Sequence, residues 1–366
     1  MNREEPSNII NDRLPFLGLK VLDLSGILAG PLTGSFFAEL GADVIKIENS
    51  LTQGDATRQW KLISETPESP YSAYYFSANY GKHTIMMDLT DAESRKTLET
   101  LIEQSDIVIS NLQKKTAAKL GLLPDDIKNK YPRLIFAQLS AYDFEDSRPG
   151  YDLVMQGETG WISMNGTDMD HLSKIPVAII DVIAAHQMKE AILIAMWKKL
   201  KTGKGSVVHI SLFKSGISAL VNQASNYLMQ NHIPKPIGTL HPNIAPYGDL
   251  FTSANDIKFM LAVGSDAQFK KLWFSLTSDD KTYTKFEINS QRLKYRSELH
   301  HILQQYFGTI NFASLEIIFS DSNVPYCSIK DLQQVFSNPK AMEMVHQDTV
   351  DGMNIRSVSH IAFTIS

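Results

Sequence analysis

The chain has few of the residues that mark several classes of protein. One cysteine, Cys327, among 366 residues excludes an internal disulfide framework and predicts a reducing compartment. No apolar run approaches the roughly 20 residues that span a bilayer. The opening MNREEPSNIINDRLPF is polar and acidic, without the apolar centre of a secretory signal. These absences together predict a cytoplasmic protein with no membrane-spanning segment.

Basic charge and metal-binding patterns are equally scarce. The net charge is −5 at pH 7, and no Lys/Arg cluster is interleaved with aromatics, so we expect no nucleic-acid partner. The ten histidines are scattered, and the pair His300-His301 lacks a metal-ligand spacing. Cys327 lies in the apolar run VPYCSI, which favours a buried, inert thiol over a catalytic one.

The first half of the chain alternates between strand and helix patterns. Apolar, β-branched runs predict strands near 21–24, 44–47, 105–111, 134–142 and 207–213, and helical periodicity predicts helices near 93–104, 116–120, 124–130 and 181–201. Such alternation predicts a parallel sheet covered by helices on both faces. The Pro-, Gly- and Asn-rich segment 234–246 marks a boundary, and the region after it mixes a hairpin with charged helices. From about residue 320 the chain is expected to be extended again.

The unit VLDLSGILAGPLTGSFFAELGADVIKIE, residues 21–48, combines two of these strands with a helix. Ala29-Gly30-Pro31 ends the first strand and begins the helix, because proline fits the first helical turn, and Gly41 ends the helix. The turn after such a strand points free N–H groups at a ligand. However, the fingerprint G-x-G-x-x-G is missing, so an ordinary βαβ unit and a ligand site both remain open.

Five polar residues are candidates for a site, and each has a structural alternative. Asp181 follows PVAII and begins the long helix, as either an N-cap or a nucleophilic carboxylate. Tyr151-Asp152 in RPGYDLVMQ is either a turn, which we favour, or a ligand contact. Arg58 and Lys82 would either bind phosphates or lie solvated at the surface.

Seven segments taken together, in this order and at these spacings, resemble the class III coenzyme A-transferase family, which includes formyl-CoA:oxalate and carnitine CoA-transferases and the related α-methylacyl-CoA racemases. The resemblance runs from about Leu17 to Ser366. Its segments are DLSGILAGPLTGSFFAELGADVIKIE, GDATR, NYGKHTIMMDL, SDIVISN, RPGYDLVMQ, KTGKG and HPNIAPYGDLF.

The resemblance implies an α/β fold, with a Rossmann-like large domain built from both ends of the chain and a smaller α+β domain between them. The implied limits are 1–225 and 321–366 for the large domain and 226–320 for the small one, in a homodimer of interlinked rings. The family nucleophile falls on Asp181, 29 positions after Asp152. The expected CoA-binding residues are Ile27, Leu28, Ala29, Arg58, Lys82, Met87, Asn111, Leu112, Lys119 and Tyr151.

The implied reaction moves CoA from an acyl-CoA thioester to a carboxylic acid through an aspartyl anhydride and an aspartyl-CoA thioester. It requires no metal or redox cofactor, because both intermediates react with a held carboxylate. The acyl donor and acceptor are not specified by the sequence. Tyr151, Trp161 and His241 are either acyl-pocket residues or packing residues, and packing is favoured.

Two alternatives stay open. A racemase of this family needs a histidine immediately before Asp152, where this chain has Tyr151, and a phenol with an ordinary pKa near 10 is a poor base at about pH 7. The transferase is therefore favoured. A non-catalytic CoA-binding relative is the second alternative, because Asn49 replaces a usual basic residue, Ala185 replaces a usual glycine, and relatives usually continue beyond Ser366.

Overall fold

The computed structural model describes residues 14–365, which form two compact units. One unit consists of Met1–Ser163, of which residues 14 onward are described, with Ser173–Pro234 and Glu343–Ser366. The other consists of Met164–Leu172 and Lys235–Met342. These units are defined by packing, and the domain limits expected from the resemblance stay predictions. The absence of a signal peptide was predicted from residues 1–16. Most of these residues lie outside the described part of the chain.

The first unit is built on a six-stranded parallel sheet in the order β3-β2-β1-β4-β5-β6. The strands are β1 (Lys20–Asp23), β2 (Asp43–Asn49), β3 (His83–Met87), β4 (Ile107–Ser110), β5 (Ile135–Ser140) and β6 (Ser206–Ser211). The predicted parallel α/β sheet is confirmed. The strand order reverses between β1 and β4, and in open α/β sheets a ligand crevice forms at this reversal, beyond the carboxyl ends of the strands.

Helices cover both faces of this sheet. They are α1 (Ala29–Glu39), α2 (Ala73–Asn79), α3 (Ala92–Gln104), α4 (Lys114–Leu120), α5 (Pro124–Lys130), α6 (Asp152–Glu158), α7 (Ile179–Thr202), α8 (Leu212–Ser218) and α9 (Val221–Gln230). On one face Phe37 of α1 and Met188 of α7 pack against Val44 and Ile109. On the other face Leu98 of α3 and Ile127 of α5 pack against Phe136. Burial on both sides explains why the strands are nearly continuous apolar runs.

The second unit has a three-stranded antiparallel sheet in the order β7-β8-β9. Its elements are β7 (Tyr247–Thr252), β8 (Lys258–Ala262), α10 (Asp266–Leu276), α11 (Asp280–Phe286), α12 (Asn289–Lys294), α13 (Arg296–Phe307), α14 (Phe312–Asp321), β9 (Tyr326–Ser328), α15 (Leu332–Phe336) and α16 (Pro339–Met342). A core rich in phenylalanine, including Phe251, Phe259 and Phe307, holds the sheet against the helices. The predicted mixture of a hairpin with helices is confirmed.

The last described segment returns to the first unit as an antiparallel hairpin, β10 (Val345–Val350) and β11 (Met353–Val358). Ile355 packs against Tyr75 and Phe76 of α2. Glu39, at the end of α1, accepts hydrogen bonds from His346 Nε2 at 3.0 Å and from the backbone N–H of His360 at 3.1 Å. This buried carboxylate therefore anchors the hairpin to α1.

Several local predictions are wrong. Residues 73–79 form α2, which the pattern did not indicate, and β6 ends at Ser211, so that Leu212 begins α8 rather than continuing a strand. Cys327 is exposed, not buried, because it lies on β9, an edge strand of the small sheet. Asp152 begins helix α6 instead of lying in a turn.

Within the described part of the chain, no helix combines the length and the apolar character needed to cross a membrane.

Candidate active site

The loop after β1 and the loop after β4 meet at the strand-order reversal. Asn111 joins them, because its Oδ1 accepts a hydrogen bond from Gly26 N at 3.1 Å and its Nδ2 donates to Gly26 O at 2.9 Å. Ile27 has φ 73°, in the left-handed region that β-branched residues rarely adopt. Its N–H donates to Asp55 Oδ2 at 3.1 Å, which helps to hold this conformation. The unusual turn seen in the sequence is thus a fixed loop at the crevice.

Close packing behind this loop requires a glycine. A Cβ at Gly30, in the first turn of α1, would lie 2.2 Å from Ser25 Oγ and 2.4 Å from Ser25 Cβ. Glycine at this position therefore lets α1 begin directly against the end of β1.

Three buried cations lie beneath the loop, each beside a buried carboxylate. Lys46 Nζ lies 3.1 Å from Asp55 Oδ2 and donates to Ser25 O at 2.6 Å. Lys82 Nζ lies 2.9 Å from Asp23 Oδ2, where both side chains are fully buried. Lys46 thus binds the loop at Ser25, and Lys82 binds the start of α1 at Pro31. Removing one partner of either pair would leave an uncompensated buried charge.

Arg58 and Lys82, both predicted to bind CoA phosphates, belong to these pairs. Arg58 Nε donates to Glu48 Oε2 at 2.6 Å, and its guanidinium lies 4.2 Å from the centre of the Tyr75 ring. Lys82 also donates to Pro31 O at 2.7 Å and to Asn79 Oδ1 at 3.0 Å. Arg58 donates four side-chain hydrogen bonds within the protein and Lys82 donates three, which favours a structural role over phosphate binding.

A cleft of about 660 Å³ opens beyond the ends of β1, β4 and β5. Four residues predicted to contact CoA line it together, namely Ile27, Asn111, Leu112 and Tyr151. Lys115 also lines the cleft and is exposed, so that its ammonium is accessible to a ligand. Lys115 is not among the residues predicted from the sequence, although it lies four positions before the predicted Lys119.

The other predicted CoA contacts lie elsewhere. Leu28 and Ala29 are buried at the start of α1, and Met87 is buried at the end of β3. Lys119 is exposed in the last turn of α4 and does not line the cleft. The structure therefore brings part of the predicted set together and separates the rest.

Asp181 is the third residue of α7, and only 8% of its surface is exposed. Among the described residues, none donates a hydrogen bond to its carboxylate or forms an ion pair with it. Around it, at the start of α7, an apolar cluster contains Ile27, Leu28 and Leu32 with Tyr74, Ala78, Ala178, Val182 and Ala185. Ile27 belongs both to this cluster and to the lining of the cleft.

The N-cap role considered for Asp181 is performed by Asp152 instead. Asp152 Oδ1 accepts a hydrogen bond from Ile180 N, in the first turn of α7, at 2.7 Å. Its Oδ2 accepts from Gln156 Nε2 at 2.6 Å, and Gln156 Oε1 accepts from Ile175 N at 2.8 Å. The N–H of Ile180 at the helix end is thus satisfied by a side chain of α6. The carboxylate of Asp181 is therefore not needed to cap the helix.

Burial and the nearby carboxylate of Asp152 raise the pKa of Asp181 to about 7. Burial, Asp181 and Asp152 in turn raise the pKa of the Tyr74 phenol. A carboxyl group whose pKa is raised by desolvation and by a like charge is a functional-site candidate. Chemically, such a carboxylate is poorly solvated when ionised and is therefore a reactive nucleophile.

Trp161 and His241 make contacts within the chain, and the packing role favoured for them from the sequence stays a prediction. Trp161 Nε1 donates to Gly216 O at 3.0 Å, and the His241 ring lies 5.1 Å from the Tyr247 ring. Within residues 14–365, no three His, Cys, Asp or Glu side chains come together as a group that would hold a metal ion. That catalysis needs no metal or redox cofactor stays a prediction.

The sequence profile of CoA-transferase family III matches residues 16–364. The chain belongs to this family. It is therefore an enzyme of the class III CoA-transferase type, as the resemblance implied.

Characterised relatives of this family III chain are similar over most of their length. It is 31% identical over 344 residues to succinate–glutarate CoA-transferase of Agrobacterium fabrum, covering 90% of this chain and 84% of that protein. It is 30% identical over 351 residues to succinyl-CoA:glutarate CoA-transferase of Homo sapiens, covering 93% and 79%. The crystal structure of a CaiB/BaiF family protein from Brucella suis matches with a TM-score of 0.79 and 31% identity, covering 96% of this chain and 93% of that one.

Proposed function

We propose that this protein transfers CoA from an acyl-CoA thioester to a free carboxylic acid, with Asp181 as the nucleophile. The observation that carries the proposal is the carboxylate itself, which is buried, lacks a hydrogen-bond donor among the described residues and has a pKa raised to about 7. A purely structural aspartate at a helix start would instead bond to backbone N–H groups, as Asp152 does.

The reaction begins when an Asp181 oxygen attacks the thioester carbonyl carbon. The C–S bond breaks, CoA leaves as a thiolate, and a mixed anhydride remains. The thiolate then attacks the aspartyl carbonyl, which releases the donor acid as a carboxylate and leaves an aspartyl-CoA thioester. The acceptor carboxylate attacks the carbonyl of that thioester, the C–S bond breaks, and CoA thiolate leaves behind a second mixed anhydride. The thiolate then attacks the acceptor carbonyl of this anhydride, which gives the new acyl-CoA and releases the Asp181 carboxylate.

Exclusion of water is the main requirement on the protein, because hydrolysis of either intermediate wastes the acyl group. The apolar cluster around the start of α7 supplies this exclusion. In the proposed complex CoA occupies the cleft lined by Asn111, Leu112 and Tyr151, and its thioester passes Ile27 to reach Asp181. Ile27 supports this route because it contacts both regions.

The substrate class is inferred from the relatives. Two relatives at 30–31% identity are named for succinate or succinyl-CoA together with glutarate. We therefore propose a short dicarboxylic acyl-CoA as donor and a short dicarboxylate as acceptor. A homodimer, implied by the family resemblance, and a cytoplasmic location, predicted from the composition of the sequence, complete the proposal.

Intact-mass spectrometry tests the mechanism. The protein is incubated with succinyl-CoA, glutaryl-CoA and a monocarboxylic acyl-CoA, beside Asp181→Asn and, as a matched control, Asp126→Asn on the exposed face of α5. We expect a mass increase equal to CoA minus water, or to the acyl group, in the protein and the control but not in Asp181→Asn. CoA binding without any adduct would contradict the proposal, and exchange of the α-proton with D₂O would then favour a racemase.

A further inference from the structure

Two buried polar side chains of α6 are hydrogen-bonded to the segment that carries Asp181 and have no role in the chemistry above. Asp152 is 8% exposed and Gln156 is fully buried. Neither is a plausible reacting group, because the hydrogen bonds described above occupy both oxygens of Asp152 and both polar atoms of Gln156.

These bonds form a continuous chain across three segments. Gln156 binds the backbone of Ile175, in the segment leading into α7, and donates to Asp152, which binds Ile180 within the first turn of α7. Asp181 is the next residue. The backbone on both sides of the start of α7 is thus held by two side chains that make no hydrogen bond to the Asp181 carboxylate.

Resting on the proposed function, we infer that Asp152 and Gln156 are positioning residues, which hold the first turn of α7 so that the Asp181 carboxylate faces the acyl group without a protein donor. The hydrogen bond from Ile180 N to Asp152 leaves the Asp181 carboxylate without a capping role. If the cap were lost, the free N–H groups of the first turn would become available to the Asp181 carboxylate itself, and a carboxylate held by such bonds is a weaker nucleophile.

The pair also controls charge at the site. The negative charge of Asp152 acts on Asp181, and Asp181 in turn acts on Tyr74 of α2, on which Asp152 and Asp55 act as well. Replacing Asp152 by asparagine removes this negative charge, so the pKa of Asp181 falls and the ionised form persists to lower pH.

The variants separate position from stability. Asp152→Ala removes the cap of α7, and Asp91→Ala is the matched control, since Asp91 caps the distant helix α3 through Ser94 N at 2.9 Å. Asp152→Asn keeps an acceptor for Ile180 N. Its new NH₂ group, however, faces the NH₂ group of Gln156, so that two donors meet. The double variant Asp152→Asn/Gln156→Glu restores a donor and an acceptor in the opposite order.

The measurement is the rate of adduct formation on Asp181 with saturating acyl-CoA, followed from pH 5 to 9, together with KM and the melting temperature. We expect Asp152→Ala to slow adduct formation at least about tenfold with KM nearly unchanged, because a small misplacement of a reacting group is costly. Asp91→Ala should lower the melting temperature without changing the rate. Asp152→Asn should move the acid limb of the pH–rate profile to lower pH. The double variant should recover part of any rate of adduct formation that Asp152→Asn loses.

Equal rates and equal acid limbs in the parent protein and both Asp152 variants would overturn this inference alone, because the adduct would still form on Asp181. A parent protein that forms no adduct would overturn the proposed function and this inference with it.

Discussion

The loop beneath the crevice and the start of α7 both bury charged groups, but they treat them in opposite ways. Beneath the loop Lys46, Lys82 and Arg58 each lie against a carboxylate at 2.6–3.1 Å. At the start of α7 the carboxylate of Asp181 has a like charge nearby and no cation against it among the described residues. The difference separates buried charge that holds a loop in place from buried charge that is available for reaction.

The largest effect is expected at the unpaired carboxylate. Asp181→Asn should lower CoA-transfer activity by about a thousandfold or more, because removing a covalent nucleophile leaves only binding contributions. Steady-state rates with succinyl-CoA and glutarate measure this, with Asp126→Asn as the control. A loss smaller than about tenfold would show that another group forms the covalent intermediate.

The paired charges should respond through stability instead. Lys82→Met leaves Asp23 buried without a partner and should lower the free energy of unfolding by about 3–5 kcal/mol. Lys96→Met, which breaks an exposed pair with Glu93, should change it by less than about 0.5 kcal/mol. Urea unfolding compares the two, and Asp23→Asn/Lys82→Met should be less destabilised than Lys82→Met. Equal effects of the two lysine changes would remove the distinction between buried and exposed pairs.

Removing the unpaired charge should have the opposite effect on stability. The folded pKa of Asp181, about 7, lies above its ordinary value of 3.8, so the folded state loses stability as pH rises between these values. Asp181→Asn lacks this loss and should be more stable than the parent protein by about 2–4 kcal/mol at pH 8, and by little at pH 4. Unfolding curves at both pH values check this. A variant less stable at pH 8 would mean that the carboxylate has a stabilising partner.

Glu39 offers the reverse case, a buried carboxylate with partners. Burial opposes its ionisation, but hydrogen bonds from His360, Ser359 and His346 outweigh burial and lower its pKa to about 2. Its contribution to stability is therefore complete above the ordinary value of 4.5 and is lost as pH falls toward about 2. Glu39→Gln should cost about 1–2 kcal/mol at neutral pH and speed hydrogen exchange in β10 and β11. Unchanged exchange there would mean that Glu39 does not anchor the hairpin.

The smallest effect concerns the exposed cations near the cleft. Lys115→Ala should raise KM for acyl-CoA about three- to tenfold, since one exposed charge–phosphate contact contributes about 1 kcal/mol. Lys119→Ala should leave KM within about twofold, because Lys119 does not line the cleft. A larger rise in KM for Lys119→Ala than for Lys115→Ala would support the prediction made from the family resemblance. It would mean that the CoA phosphates bind nearer the end of α4.

The sequence predicted those features that depend on local periodicity. Strands buried on both faces are apolar runs, and the cap of α3, the proline that opens α5 and the glycine that ends α7 are local signals, so the alternation was visible. Helix α2 was not predicted because it has only seven residues, including two tyrosines and a phenylalanine, which are weak helix formers. Cys327 was misplaced because a three-residue edge strand is too short to show which face is buried.

The site itself was only partly predictable, because its decisive contacts join distant residues. Asp152 caps a helix that begins 27 positions later, at Ile179, and no local pattern distinguishes that role from a turn. Arg58 and Lys82 looked like free cations because Glu48 and Asp23 reach them only in the folded sheet. Asp181 itself was assigned by resemblance, and the burial and nearby like charge that support its proposed role became visible only with its surroundings.

A direct titration of the Asp181 carboxyl group tests the central claim. Infrared difference spectra of the carboxyl and carboxylate bands, recorded from about pH 3 to pH 9 for the parent protein and Asp181→Asn, isolate this group. We expect a band present only in the parent protein, with a midpoint near the pKa of about 7. A midpoint near the ordinary value of 3.8 would show that the carboxylate is solvated or paired, and would contradict the account of an unpaired buried nucleophile.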